Sequence, residues 1–173
     1  MQTEAFTIIT PHPVDPERKL AWFGEFSERG LKRLTCEHPK AGEATSRLDA
    51  RGRTLRDKLF ARMTGKPVDM RWDEFDLTGA PKFHEKIWRA MMEIPFGEVR
   101  TYGEVAGMAD SPVAFRACGQ ACGANRILLF IPCHRVVASN GIGGFGRPIE
   151  WKKMLLASEG VDAAKLSRRA MAT

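Results

Sequence analysis

The chain has 173 residues, 43% of them hydrophobic, which suits one or two small domains with a real core. No window approaches the ~18 consecutive apolar residues of a membrane span; Glu4 lies where a secretion signal would be basic or apolar, and four cysteines make no disulfide framework. A folded, soluble, cytoplasmic protein with reduced thiols is expected, and its net charge of +6 is held unevenly: residues 1–81 carry 14 Lys+Arg against 13 Asp+Glu, residues 82–173 carry 13 against 8. The basic half suits a polyanion such as DNA, and it equally suits a solvated surface.

In chain order, residues 6–9 read as a first strand, broken by Pro11, Pro13 and Pro16. Residues 20–26 and 31–36 flank a short polar connection ending in Gly30, so the spacing predicts a hairpin with Trp22 and Phe26 on one face. Leu48, Leu55, Leu59 and Phe60 predict a helix over residues 44–63 with a solvated basic face, stopped by Gly65 and Pro67. Cys36 and His38, two residues apart, are too few for a zinc site. Residues 72–77 look strand-like, and Gly79-Ala80-Pro81 marks a boundary between an N-terminal α/β domain, 1–79, and a mainly helical C-terminal domain, 80–173.

Beyond the boundary, Phe83, Ile87, Trp88, Met91 and Met92 form a helical stripe that packs in a core and stops at Ile94-Pro95. Thr101 is placed to cap a short helix through Met108, Asp110-Ser111-Pro112 forms a turn, and a second helix follows over residues 113–123. This is the outline of a helix-turn-helix, shared by many helical pairs. On the second helix Ala114, Ala117, Ala121 and Ala124 recur at helical spacing, with Gly119 and Gly123 nearby. Such a stripe serves either close helix packing or another approaching surface.

The apolar residues 127–130 lead into Ile131-Pro132-Cys133-His134-Arg135-Val136-Val137. A free cysteine is usually an inert, buried small hydrophobe. Pro132, the base or cation His134 and the positive Arg135 nevertheless surround Cys133 with features that favour a thiolate. On residue type alone, a reactive thiol and a structural one both fit.

I-P-C-H-R-V-V, preceded by R-A-C-G-Q-A-C-G-A-N (116–125) and followed by G-G-F-G (143–146) and L-L-A-S-E-G (155–160), closely resembles the O6-alkylguanine-DNA alkyltransferases. The resemblance covers residues 75–160; residues 1–74 match only in general character, and the tail after Gly160 does not match. It implies a ribonuclease-H-like α/β N-terminal domain and a C-terminal helix-turn-helix domain. It also implies direct, irreversible transfer of an alkyl group from O6-alkylguanine, and also from O4-alkylthymine, in duplex DNA to Cys133, with no cofactor and one use per molecule.

By the same resemblance, His134 acts through a bridging water and is oriented by Glu159, the rival Glu150 not matching in position. Tyr102 donates to the flipped base, Asn125 links the recognition helix to the active-site segment, and the Val136 carbonyl reads the guanine amino group. Phe145 and Gly146 complete the base pocket. Ala114, Ala117, Gly119, Ala121 and Arg126 face the minor groove, with Arg116 entering the base stack. The partner is thus damaged double-stranded DNA, bound by a monomer. No metal is implied, and the i, i+4 pair Cys118 and Cys122 is left to packing. Three departures from the usual pattern are Arg126, where proline is common, Phe145, where tyrosine is usual, and the altered loop over residues 141–148, which bears on alkyl-group preference.

Overall fold

The computed structural model describes residues 3–169, a mixed α/β arrangement of a small sheet and helices. Among these residues no helix is long and apolar enough to cross a membrane. Two compact units emerge: residues up to Thr78 together with Arg126–Leu128, and Gly79–Asn125 together with residues from Leu129 onward.

In the first unit, β1 (Glu4–Pro11), β2 (Lys19–Ser27) and β3 (Gly30–Glu37) form an antiparallel sheet in the order β1-β2-β3. The hairpin is as the sequence predicts, and Trp22 and Phe26 are both buried. Gly24 is required by close approach: a Cβ there would collide with the Phe6 ring, which packs against Phe26 at 5.1 Å between centroids. Helix α1 (Ala50–Met63) packs on β1 through Leu55, Leu59 and Met63, while Phe60 is exposed.

Three expectations need correction in this unit. Helix α1 starts six residues later than the apolar spacing predicts, because the Asp49 carboxylate accepts from Gly52 N at 2.7 Å and caps it there. The preceding hydroxyls serve β1 instead: Ser46 Oγ accepts from Thr7 N and Thr45 Oγ1 from Ile9 N. Its basic face is not wholly solvated, since Arg62 is buried. Residues 72–77 are not a strand; Trp72–Glu74 is a 3-10 turn in which the Glu74 carboxylate accepts from Arg71 N, and Phe75 then makes a single parallel bridge with Leu31. Residues 126–128 continue the sheet at β3, where Leu34 N donates to Arg126 O at 2.8 Å and Leu128 N donates to Leu34 O at 2.9 Å.

The second unit contains α2 (Lys82–Met92), α3 (Tyr102–Met108), α4 (Phe115–Gly123), α5 (Ile149–Ser158) and α6 (Ala163–Arg169). The two-residue strands β4 (Arg100–Thr101) and β5 (Val136–Val137) pair in parallel. Thr101 caps α3 as expected, in a reciprocal box: its hydroxyl accepts from Glu104 N, and the Glu104 carboxylate accepts from Thr101 N at 2.6 Å. Helix α4 begins at Phe115, after a turn at Asp110 with φ 55°. Residues 127–130 are buried as expected, but the chain turns at Leu129, whose φ of 77° lies in the left-handed region uncommon for a branched side chain.

Candidate active site

Cys133–Arg135 form one 3-10 turn, not the extended segment that would point neighbouring side chains oppositely. Cys133 N donates to Ile131 O at 2.8 Å and Arg135 N to Pro132 O at 2.9 Å. With three residues per turn, successive side chains diverge by roughly 120°. The buried residues Cys133, His134 and Arg135 can therefore serve different partners.

His134 and Arg135 converge on Glu159, which ends α5. His134 Nε2 lies 2.7 Å from Glu159 Oε1, while Arg135 donates through Nε to Oε2 at 2.8 Å and through Nη2 to Oε1 at 3.1 Å. Gly97 N, brought in by a φ of 79°, donates to Oε2 at 3.1 Å. Burial alone would raise the Glu159 carboxyl, but hydrogen bonds and charge from His134 and Arg135 outweigh it and hold the group well below the usual carboxylate range. The carboxylate is an acceptor only, so Nε2 carries the donated proton and a neutral His134 keeps Nδ1 as its acceptor nitrogen. Glu150, the rejected rival, points outward with its side chain 74% exposed, 3.8 Å from Lys153.

This arrangement corrects one expectation. Arg135 does not lend its charge to the thiol; its remaining donor Nη1 is taken by Ile94 O at 2.6 Å. The sulfur draws on other groups. Asn125 Nδ2 donates both to Ile131 O at 2.7 Å and to Cys133 Sγ at 3.2 Å. Burial pushes the Cys133 thiol up, and Asn125 together with the charges of Lys152 and Arg147 pulls it part of the way back.

Lys152 is the residue that sequence reasoning missed. It sits on α5 with 0% exposure, its Nζ donating to Val136 O at 2.6 Å and Gly144 O at 2.9 Å. The same Nζ lies 5.9 Å from the ring centroids of both Tyr102 and Phe145. Burial brings its ammonium down to about 8, opposed by the Cys133 and Cys122 sulfurs and, among the described residues, by no carboxylate. One signal was available: Lys152 stands seven residues before Glu159 with Leu155 and Leu156 between, which puts both charged groups on the apolar face of one helix.

Cys133 opens onto a cavity of about 250 Å³ that Tyr102, Gly119, Cys122, Phe145 and Gly146 help to line. The Tyr102 hydroxyl donates to Gly144 O at 3.2 Å, and burial, with the neighbouring cysteines, pushes it up to about 12, so it remains a donor at neutral pH. The Val136 carbonyl, expected to read a base, already accepts from Lys152 at 2.6 Å. Among the described residues no group of three or more His, Cys, Asp or Glu is placed to hold a metal ion.

The small-residue stripe of α4 does not present a single surface. Arg116 is exposed, and Ala114, Ala117 and Gly119 are partly so, but Ala121 is fully buried and its carbonyl accepts from Trp88 Nε1 at 2.8 Å. Ala121 is thus a packing residue and not a surface contact, because α4 must lie close against α2 on that side. Arg126, expected on the DNA side, donates to Thr78 O at 3.1 Å within the first unit.

Comparison with known proteins gives the family. Residues 82–161 match the family model of the 6-O-methylguanine DNA methyltransferase DNA-binding domain. A methylated-DNA–protein-cysteine methyltransferase from Saccharolobus islandicus is 42% identical over 120 residues, covering 69% of this chain and 76% of that protein. A relative from Acanthamoeba polyphaga mimivirus is 46% identical over 86 residues, half of this chain, and the match spans only 57% of that relative's length. The crystal structure of Mycobacterium tuberculosis OGT in complex with DNA superposes with a TM-score of 0.69 at 30% identity, covering 92% of this chain and 98% of that one. The chain belongs to the methylated-DNA–protein-cysteine methyltransferase family.

Proposed function

We infer that this protein repairs DNA by moving the alkyl group of O6-alkylguanine, and of O4-alkylthymine, from duplex DNA onto Cys133. The observation that carries the reading is the Cys133 sulfur at the wall of a cavity, held by the Asn125 amide and faced by the buried, carboxylate-free Lys152 ammonium.

In the transfer, the thiolate forms a new S–C bond while the C–O6 bond breaks, its electron pair passing to the guanine, which takes up a proton. The thiol proton leaves first, through a water, to His134 Nδ1, and ionised Glu159 supports the resulting imidazolium. Tyr102, protonated at working pH, donates to the departing base, and the Val136 carbonyl accepts from the guanine amino group. The thioether is not hydrolysed, so each molecule acts once and needs no cofactor.

A base within the stack cannot be reached, so it is flipped into the cavity. Helices α3 and α4 act as a helix-turn-helix, with Ala114, Ala117 and Gly119 toward the minor groove and Arg116 filling the vacated space. The first unit is a ribonuclease-H-like domain, and the protein works as a monomer in the cytoplasm, on the nucleoid if the cell is bacterial.

Intact-mass and peptide mapping after incubation with O6-methylguanine duplex test the reading. One persistent methyl on Cys133 is expected, together with complete loss of transfer but near-normal duplex binding in Cys133→Ala, because phosphate contacts supply most of the affinity. Label on Cys118 or Cys122, or no stable adduct, would overturn it.

A further inference from the structure

Five large apolar side chains are exposed among the described residues, and three of them, Met108, Val113 and Phe115, lie at the end of α3 and the start of α4. Scattered exposed apolar residues need no explanation, but a local group of them marks an interaction surface. Val113 is 89% exposed and Phe115 52% exposed, and they immediately precede Arg116, whose guanidinium lies 5.8 Å from the Phe115 ring centroid. Asp110 stands in the turn between Met108 and Val113, but from Ser111 to Ile149 the chain carries no Asp or Glu, and Arg116 within this stretch is exposed, whereas Arg135 is bound by Glu159. An apolar tip beside the exposed Arg116 guanidinium is complementary to a polyanion with flat apolar faces in its interior.

We propose that Phe115, with Val113 beside it, is an apolar wedge that enters duplex DNA next to Arg116, the ring and the guanidinium together holding the base stack open. The proposal rests on the DNA-repair reading above and adds to it a second side chain that parts the bases. Apolar side chains inserted at base steps partly unstack them and kink the duplex. An aromatic face offers each base a stacking surface whatever its sequence. Because the ring carries no charge, its contribution to affinity releases no counterions and does not depend on salt.

The test compares the full chain with its Phe115→Ala and Val113→Ala variants on undamaged and O6-methylguanine duplexes, by fluorescence polarisation across a salt series. A 2-aminopurine beside the lesion reports unstacking. Phe115→Ala should weaken binding about tenfold at every salt concentration, leaving the slope of log affinity against log salt unchanged. Val113→Ala should weaken it less. The 2-aminopurine signal should fall in Phe115→Ala, while thermal melting stays at the parental value because the ring is half exposed. Unchanged affinity in Phe115→Ala would overturn the wedge, as would a changed salt slope or a dimer in sedimentation that the variant dissolves. If the parent protein neither bound duplex nor took up the methyl group, the repair reading itself would fall. Normal parental binding and transfer with an indifferent Phe115→Ala would sink the wedge alone.

Discussion

Arg135 and Lys152 are both buried cations close to Cys133, and they are treated in opposite ways. Arg135 is bound by the Glu159 carboxylate and the Ile94 carbonyl, inside a network that also fixes His134. Lys152 has two carbonyls and two aromatic rings and, among the described residues, no carboxylate. A guanidinium suits the first role, since its planar fork matches a carboxylate, and an ammonium suits the second as a compact charge. Neutralised charge thus organises the site, while on the proposed function the Lys152 charge serves the thiolate that forms when Cys133 loses its proton.

Glu159→Gln strikes the neutralised side and should have the largest effect. Removing one member of a buried charged network leaves its partners uncompensated, at about 3 kcal/mol or more. Because the Glu159 carboxyl is held below its unfolded value, its stabilisation is fully present above about pH 4–5 and is lost as pH falls through the lower folded value. The melting difference between parent and variant should thus be wide at pH 7 and narrow in acid. Transfer by the folded fraction should also slow, and superimposable rate–pH profiles would remove Glu159 from the proton relay.

Lys152→Met probes the other side and should separate activity from stability. Its depressed folded value, about 8, means that the charged form is disfavoured by folding. This cost is fully present below pH 8 and fades as pH rises toward the ordinary lysine range. At pH 7 the variant should melt at or above the parental temperature, yet transfer about tenfold more slowly, with its rate profile moved toward alkaline pH. A large melting loss with an unmoved profile would make Lys152 merely structural. Asn125→Ala, which removes an uncharged donor from the sulfur, should have the smallest effect: about 1 kcal/mol each in stability and in the transfer barrier, read by melting and single-turnover kinetics.

What the sequence revealed was local. The β2–β3 hairpin and the Thr101 cap depend on residues within a few positions of one another, and both lie where the pattern puts them. The late start of α1 has a local part, the Asp49 cap on Gly52 N, and a distant one, Ser46 and Thr45 meeting β1 nearly forty residues away, which no window could reveal. Within the site, the contact of His134 with Glu159 was implied by resemblance, and the turn at Cys133–Arg135 explains how neighbouring residues can serve separate partners. Lys152 was hidden because a lysine on a helix ordinarily reads as solvated, and Ala121 because alanine is equally at home inside and outside.

The short return of residues 126–128 to the β3 edge also governs the order of assembly. The first unit is incomplete when Thr78 leaves the ribosome; the Leu34 N–H and C=O wait for a segment made almost fifty residues later. A chain ending at Thr78 would carry an open strand edge, the kind of surface on which polypeptides aggregate. The same three residues lie just upstream of Pro132 and Cys133, so closing that edge is a long-range step of the kind that slows folding and must be made by the segment that leads into Cys133.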